Sequence, residues 1–510
     1  MAESTPLLSH FNSPPESKCP SLNEATEECI ADFGFAQFVQ TVLVSFAWVF
    51  DAQQTFISVF AEAEPSWRCT DHLRNGSCDS LFFNICQLPK DSWAWDRPIH
   101  SSIVSEWELQ CSSALIKGLP VSSFFMGCLV GGLVLATLAH SSLGRKNLLF
   151  LSCPLMSFSS LFTVFTPNIW IYSASKFLNG FGHATIGTCA LVLSTELVGK
   201  RWRGQVGILG FLCFTLGFLF FLENSLCTSI PTIFYCILIH FLVRESPRWL
   251  LVRGHKDEAI SILTIISATK NSLITKNLSD MELEQEQAPQ NDDIYSTIKI
   301  LLEKNWAFRR LSAVTVRGFG SGLVYYGMPL GLANLDFNLY LSVTFNALSE
   351  LQASLITFFF IDKLNRKCSL PVLTGLSGIC SILCVVMGKI SGNLQIGLEM
   401  ISFFSACTGF SILLIYTIEL FPTSVRNSAI SMVRQALVFG GMFSPLLVAA
   451  ESKSGFLSYG IFGLVIWICG FFRYESARYK KKDTLRHNGR RRAKTKKIWP
   501  VIIPCDGRHY

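Results

Sequence analysis

Charged residues are scarce in this chain of 510 residues, where they make up 15% of the sequence. Soluble proteins carry about 25%, so the scarcity excludes an ordinary soluble protein. The sequence also lacks a glycine-rich Lys-Ser/Thr phosphate loop and Cys/His ligands clustered at zinc spacing, and we therefore expect neither an enzyme nor a cofactor or metal. Residues 1–35 lack the basic start and apolar run of a cleavable signal peptide.

Apolar residues make up half of the chain and fall into long segments. A segment of about 18 or more such residues can cross a hydrocarbon core as a helix. We therefore predict an all-α membrane protein with twelve transmembrane helices in two six-helix halves. The predicted spans are residues 37–60, 117–139, 147–166, 169–194, 205–222, 226–243, 311–331, 338–361, 369–389, 394–418, 427–450 and 455–472.

Lysine and arginine concentrate in alternate connectors, a pattern that fixes orientation in a membrane and predicts cytosolic N- and C-termini. The predicted parts are a cytosolic segment 1–36, a first half 37–243 with a long non-cytosolic loop 61–116, a cytosolic linker 244–310, a second half 311–472 and a basic cytosolic tail 473–510. The tail holds thirteen Lys/Arg against three acids, so it contributes +10 to a net charge of +7 and the remainder sums to −3. The net charge therefore indicates no acidic partner for the membrane part, and we expect no nucleic-acid partner.

The first half of the sequence reappears in outline in the second. Ser-Leu-Gly-Arg-Lys at 142–146 is echoed by Lys-Leu-Asn-Arg-Lys at 363–367, an offset of 363 − 142 = 221 residues. Glu196 is echoed by Glu419, an offset of 419 − 196 = 223. A repeat of membrane spans joined by basic connectors indicates two bundles that face each other across a substrate path, as in secondary transporters.

The long first loop carries signals of a non-cytosolic compartment. It holds an even number of cysteines, for which two disulfides are predicted, and a glycosylation sequon beginning at Asn75. The cysteines are Cys69, Cys78, Cys86 and Cys111.

Five sequence segments resemble those of a known family. They are Ser101–Leu109 followed by Cys111, Glu245–Gly254, Tyr416–Arg426, Phe50–Ser58 and Met432–Gly441. The first three are similar to the organic cation/anion/carnitine transporter family of the major facilitator superfamily, and the last two to its plant branch, the organic cation/carnitine transporters. The resemblance covers about residues 30–472.

The resemblance implies a secondary active transporter that moves organic cations, carnitine or both by alternating access, with a proton or sodium ion as the candidate co-substrate. Two alternatives stay open, namely an organic anion transporter and a non-transporting sensor or inactive variant. Three departures from the family support the latter. His140 replaces the acid of the first gating motif, spans five and six share only residues 204–243, and the basic tail resembles no family tail. The tail indicates an altered reading frame or, alternatively, binding to anionic membrane lipid.

Asp51 is the leading candidate for coupling, because an ionised side chain inside a span costs about 2.5–3.5 kcal/mol and calls for a partner. Lys176 in span four is the predicted partner, since the similar proton-coupled sugar carriers pair an acid in span one with a base in span four. A static ion pair that locks two helices is the alternative interpretation.

Glu350 in span eight is similar to an acidic cavity residue of the organic cation transporters and is a candidate for attracting a quaternary ammonium. Tyr325 and Tyr326 are candidates for cation–π contacts, or else serve only in packing. Arg434 in span eleven is a candidate anchor for the carboxylate of a zwitterion such as carnitine, although its place near the start of the helix also fits a snorkelling side chain. Val438 occupies the position that selects substrate charge in the family and leaves that charge undecided.

The connectors carry candidate gating residues that would form ion pairs in one state of the transport cycle. Exposed pairs are worth about 0–1 kcal/mol each, so only a network would bias the cycle. The alternative is that these residues only fix topology. They are His140, Arg145, Lys146, Glu196, Arg203, Asp362, Arg366, Glu419 and Arg426.

An acidic dileucine pattern near the N-terminus, formed by Glu3, Leu7 and Leu8, is a candidate adaptor-binding signal. In plants this pattern directs membrane proteins to the vacuole. The sequence therefore favours the vacuolar membrane, with the plasma membrane as the alternative.

Overall fold

The computed structural model describes residues 26–27, 29–70, 85–141, 143–220, 225–266, 299, 302–335, 337–360, 366–388, 390–421, 423–451 and 457–471, with the side chains of residues 136–141, 225–227, 358, 366–367, 423–424, 426–427, 451, 457 and 471 excluded. Some predicted features lie outside the described residues, namely Glu3, Leu7, Leu8, Asn75, Cys78, Asp362 and the tail 473–510. The side chains of His140, Arg366 and Arg426 lie outside the description as well.

The apolar segments of the first half form helices, because hydrocarbon requires each backbone N–H and C=O to bond within its own segment. These helices are α1 (Phe35–Ser45), α2 (Ala47–Phe56), α3 (Ser58–Ala61), α4 (Ile103–Glu106), α5 (Ala114–Ser141), α6 (Gly144–Thr163), α7 (Ile169–His183), α8 (Ile186–Glu196), α9 (Arg203–Leu219) and α10 (Ser225–Leu242). Helices α1 to α3 form one continuous candidate span, Phe35–Ala61, and α7 with α8 form another, Ile169–Glu196.

Two short helices and the helices of the second half follow. They are α11 (Pro247–Val252), α12 (Lys256–Ile266), α13 (Asn305–Gly331), α14 (Leu339–Phe360), α15 (Arg366–Met387), α16 (Gly392–Leu420), α17 (Thr423–Glu451) and α18 (Leu457–Phe471). Among the described residues, six candidate spans are long and apolar enough to cross a membrane, and shorter apolar helices lie in α9, α10 and α18.

The two halves meet along two pairs of helices, α5 against α17 and α9 against α14. Between α5 and α17 lies an apolar cluster whose members are Val121, Phe124, Phe125, Cys128, Tyr326, Leu330, Val438 and Met442. One hydrogen bond crosses the same surface, where the Ser122 hydroxyl donates to the carbonyl of Met442 at 2.9 Å. The bundle is thus closed along α5 and α17 by close apolar contact.

The end of the bundle that carries residues 62–113 is called the loop side below. Strands β1 (Trp67–Cys69) and β2 (Trp93–Trp95) pair there in an antiparallel hairpin. Cys86 and Cys111 form a disulfide, and Cys69 is also disulfide-bonded. The Cys86–Cys111 disulfide therefore ties the loop to the segment just before α5.

The opposite end, which carries α11 and α12, is called the linker side. The segment before α1 folds back onto it, so that Ile30 is fully buried in a cluster with Ala259, Ile262 and Leu263 of α12. The N-terminal segment and the start of the linker thus cap the first half together.

Helices α9 and α10, which the sequence marks as shortened, still take part in the bundle. Helix α9 packs against α2 in its own half and α14 in the other, and α10 packs against α6. Phe56 and Phe218 stack with ring centroids 4.0 Å apart and join α2 to α9. The departure from the family in this region therefore leaves the helix contacts in place.

Helices α5 and α7 approach so closely that glycine is required where they face each other. A Cβ at Gly180 would overlap the carbonyl oxygen of Phe124, and one at Gly127 would overlap that of Phe177. Small residues at such contacts let membrane helices pack backbone to backbone. The position of α7, on which the candidate site depends, therefore rests on these two glycines.

Gly180→Ala is expected to destabilise the protein by about 1–3 kcal/mol, because the new methyl group must push α5 and α7 apart. Gly207→Ala on α9 is the matched control, since nothing lies within 4 Å of a Cβ there. The control should unfold at the wild-type temperature or above it in a thermal scan of the purified protein. Equal unfolding temperatures for Gly180→Ala and the wild type would contradict this packing.

Candidate transport site

Asp51 lies on α2 in the middle of the first span and is buried, with 7% of its surface exposed. Its Oδ1 atom lies 3.1 Å from Nε2 of His183 at the end of α7. The Thr55 hydroxyl, which donates to the Asp51 carbonyl at 2.8 Å, lies 3.0 Å from the same nitrogen and so accepts from it. Asp51 thus has a base as its partner, but that base is His183.

Lys176, the predicted partner of Asp51, pairs with another acid. Its Nζ lies 3.2 Å from Oε1 of Glu62, and both side chains are less than a tenth exposed. The Tyr172 hydroxyl donates to the same oxygen at 3.4 Å. The prediction of an Asp51–Lys176 pair is therefore wrong, and the first and fourth spans are joined at two depths, by the Glu62–Lys176 ion pair and by the contact of His183 with Asp51.

The geometry of two antiparallel helices explains this correction. With a rise of about 1.5 Å per residue, Lys176 lies about 10 Å along α7 from His183, and Glu62 lies about 16 Å along the first span from Asp51. The long lysine side chain covers the difference and reaches Glu62. Asp51 is then left opposite the shorter imidazole of His183.

Amides surround the inner pair. Asn179 on α7 donates to Gln54 on α2 at 2.9 Å, and Gln54 donates to the Thr228 hydroxyl of α10 at 3.2 Å. Spans one, four and six therefore share one buried polar network within an otherwise apolar half.

Glu350 lies on α14 in the second half and is 7% exposed. The Tyr325 hydroxyl of α13 donates to its Oε1 at 2.5 Å, while its Oε2 has no hydrogen-bond partner. The Tyr325 ring stacks on Phe403 with centroids 6.0 Å apart. Tyr325 is therefore a donor that orients Glu350 as well as an aromatic residue beside it.

Glu399 is a second buried acid of this half that sequence reasoning missed. It lies on α16, is 1% exposed, and accepts a hydrogen bond from the Asn346 amide at 3.1 Å. Asn346 precedes Glu350 by one helical turn on α14, so the two acids lie beside the same helix face. A lone acid inside span ten was the available signal, by the same reasoning that selected Asp51.

Three further candidates lie where the halves meet. Arg434 on α17 is half-buried, and its charge acts on Asp51 and on Tyr326 across the bundle. The Tyr326 ring lies 4.6 Å from that of Phe125 on α5. Val438 belongs to the apolar cluster between α5 and α17 and brings no charge to the path.

On the linker side, charged residues mainly tie the first half to itself. Arg145 and Glu196 approach to 3.9 Å between α6 and α8. Arg203 and Arg248 both pair with Glu27 of the N-terminal segment. Of the predicted gating residues on these connectors, Arg145, Glu196 and Arg203 are thus joined to partners within the first half, and Glu419 is exposed.

Glu245, which the sequence analysis did not single out, holds the start of α6. Its carboxylate accepts from the backbone N–H groups of Arg145 and Lys146 at 3.1–3.2 Å and from that of Ser246 at 3.0 Å. The Lys146 ammonium donates to the His240 carbonyl at 3.0 Å. Burial raises the pKa of the Glu245 carboxyl above its ordinary value, although these donors oppose the shift. A carboxylate at a helix N-terminus also interacts favourably with the helix dipole.

A cavity of about 70 Å³ opens on the loop side between the halves. Its lining includes Ser58 and Glu62 of the first span, Lys117 of α5, and Asn334 and Pro445 of the second half. Glu62 of the outer pair therefore borders a space that both halves enclose, whose lining is largely apolar apart from a few polar and charged side chains.

Comparison with known proteins identifies the family. The model of the family described as "Sugar (and other) transporter" matches residues 48–222 and 224–483. The chain is 59% identical to organic cation/carnitine transporter 3 and 55% identical to organic cation/carnitine transporter 2 of Arabidopsis thaliana. The first alignment covers 92% of this chain and 94% of the relative, and the second covers 92% and 93%. The chain belongs to the organic cation/carnitine transporters.

The fold of this family member agrees with its relatives. The inward-open xylose transporter XylE of E. coli superposes with a TM-score of 0.60 at 15% identity, over 86% of this chain and 95% of that one. The predicted family and the predicted major facilitator fold are confirmed. Because the relatives are membrane transporters, the expectation that the chain is not an enzyme is confirmed as well.

Glu245→Ala is expected to destabilise the protein by about 2 kcal/mol, since hydrogen bonds to a charged group are worth about 1.5–3 kcal/mol. Glu303→Ala is the matched control, because that side chain is 63% exposed beside Lys299. Thermal unfolding of both purified variants measures the difference. An unfolding temperature for Glu245→Ala that equals that of Glu303→Ala would rule out the capping role.

Proposed function

We propose that this transporter carries organic cations, carnitine among them, by alternating access, with a proton as the co-substrate. Buried Glu350 carries the substrate part of the proposal. A buried carboxylate with a free oxygen is costly unless a charge or donor meets it. An organic cation in the path would supply that charge, and the neighbouring Tyr325 and Phe403 rings would add cation–π attraction.

Carnitine also carries a carboxylate, for which Arg434 is the proposed anchor. Its guanidinium is half-buried and acts electrostatically on the central residues of the bundle. Arg434 lies on α17 and Glu350 on α14, so a zwitterion would extend between two helices of the second half. A simple cation would need Glu350 alone.

Alternating access is supported by aromatic contacts that close the loop side. Phe60 of the first span stacks on Tyr340 of α14 with centroids 5.3 Å apart. The guanidinium carbon of Arg97, in the loop, lies 5.3 Å from the centroid of the same Tyr340 ring. These groups come from opposite halves, so they must separate for a substrate to pass there.

Which cellular membrane holds the transporter is proposed from sequence signals alone. We propose that the transporter lies in the vacuolar membrane, because a cytosolic adaptor would bind the dileucine pattern formed by Glu3, Leu7 and Leu8. We also propose that Asn75 is glycosylated. The plasma membrane is the alternative. Microscopy of a Leu7→Ala, Leu8→Ala variant against the unaltered chain would distinguish them, because loss of the signal should move the protein to the plasma membrane.

Glu350→Gln is expected to weaken both carnitine and tetraethylammonium, raising KM about ten- to hundredfold, because a charge-assisted contact of about 1.5–3 kcal/mol is lost. Arg434→Gln should weaken carnitine and spare tetraethylammonium. Uptake of the two labelled solutes into proteoliposomes measures both effects. Equal losses for the two solutes in Arg434→Gln would contradict the carboxylate anchor, and preferred uptake of an organic anion would favour an anion transporter.

Asp51→Asn is expected to abolish uptake driven by a proton gradient while leaving carnitine–carnitine exchange in part, because the amide cannot take up a proton. Asp32→Asn, at an exposed position before α1, is the matched control and should keep both activities. Unchanged gradient-driven uptake in Asp51→Asn would remove Asp51 from the mechanism. Binding of carnitine by the wild type without any flux would instead favour a sensor or an inactive variant.

A further inference from the structure

Polar residues line the facing sides of the first span and α7 from the centre of the bundle to the loop side. On the first span they follow the spacing i, i+4, i+7, i+11, which keeps them on one helix face; they are Asp51, Thr55, Ser58 and Glu62. On α7 they follow i, i+3, i+7 and are Lys176, Asn179 and His183. These seven residues are called the polar seam. Six of them are at least nine-tenths buried, including Glu62, whose side chain is 4% exposed. The exception is His183, whose side chain is 16% exposed.

The seam meets the loop-side cavity at its outer end, where Glu62 and Ser58 belong to the lining. One oxygen of Glu62 binds Lys176, while its Oε2 atom has no hydrogen-bond partner. A buried acceptor of this kind beside a cavity is a place where a proton can bind.

The outer end of the seam is the Glu62–Lys176 ion pair, and the inner end is the contact between Asp51 and His183. A proton that binds Glu62 frees Lys176 from its partner, and the hydroxyls of Ser58 and Thr55 lie on the same helix face toward Asp51. At the inner end His183 contacts both Asp51 and Thr55. The imidazole and the carboxylate of this inner contact can each bind a proton.

We propose that the polar seam is the path of the coupling proton, with Glu62 as its entry from the loop side and the Asp51–His183 pair as its inner binding site. The proposal deepens the proton coupling proposed above and rests on it. A proton from the loop-side water binds the Glu62 carboxylate, passes along Ser58 and Thr55, and binds the inner pair, which releases it on the linker side when the bundle opens there. No oxidant or other reactant is needed.

Other charged or titratable groups also face the inner pair. Cys128 of α5 lies 3.7 Å from Nδ1 of His183. Arg434 of α17 acts on Asp51 from the second half, and Tyr326 of α13 lies within reach of both charges. A neutral thiol and a neutral phenol have no ready site for a further proton and a guanidinium is permanently charged, so the carboxylate of Asp51 and the imidazole of His183 remain as the acceptors.

The test compares Glu62→Gln and His183→Gln with Glu64→Gln in proteoliposomes. Glu64 is the matched control because it also lines the cavity and pairs with a lysine, Lys117 at 2.7 Å, yet stands off the seam. Carnitine uptake under an imposed proton gradient and carnitine exchange without one are measured for each. We expect both seam variants to lose gradient stimulation and keep exchange. Glu64→Gln should match the wild type throughout.

The single substitution Glu62→Gln leaves Lys176 as an unpaired buried charge, which can prevent folding. The double variant Glu62→Gln, Lys176→Met removes both charges and keeps the experiment decisive, because it should fold and still lose gradient stimulation. Retained stimulation in either form of the Glu62 variant overturns the path. So does equal loss in Glu64→Gln.

The wild type separates this inference from the proposed function. Carnitine uptake that no proton gradient stimulates would overturn the seam as a proton path and leave the substrate assignment standing. Absence of any uptake would overturn both. A static role for the seam, in which the pairs only join two helices, predicts lower unfolding temperatures for the variants with unchanged gradient stimulation.

Discussion

The arrangement of this transporter depends on the high free energy of an unpaired charge in a membrane. Charge on Asp51 or Glu62 in an apolar bundle costs free energy, which a base opposite each acid reduces. His183 and Lys176 supply those bases from α7, and Gly180 fixes the position of α7 by letting it pack closely against α5. Packing and charge are thus linked through α7, which contacts α5 on one side and the first span on the other.

The second half stabilises its buried acids with different partners. Glu350 and Glu399 have neutral donors, a tyrosine hydroxyl and an asparagine amide, where the first half has bases. A neutral donor satisfies one oxygen and leaves the net charge in place. In the proposed function the first half would hold a proton between an acid and a base, and the second half would attract a cationic solute.

The linker side shows how the halves are kept as separate bodies. Glu27, Glu196 and Glu245 take their partners from the first half, and the N-terminal segment and α12 cover the same surface. The described ion pairs therefore stiffen that half. Where both are described, the halves touch largely through apolar and aromatic side chains, at Val438 and between Phe60 and Tyr340, and such contacts can separate without exposing a buried charge.

Much of the fold could be predicted from the sequence. Long apolar runs and the repeat predict the helices and their two-fold arrangement, and isolated acids such as Asp51 and Glu350 mark the path because charge inside a span is costly. The partners of these acids could not be predicted from the sequence. Which base meets Asp51 depends on the depth at which two antiparallel helices pack and on side-chain length, so His183, seven residues beyond Lys176, was missed. Glu62 was missed because the predicted span ended two residues before it.

The central claim is that solute and proton binding are linked through the first half. The most direct test adds carnitine to purified protein in weakly buffered solution and follows a pH indicator, with binding confirmed by calorimetry. The account predicts that binding changes the number of bound protons in the wild type, as linkage requires, and leaves it unchanged in Asp51→Asn. Carnitine that binds the wild type with no change in bound protons at any pH would contradict it.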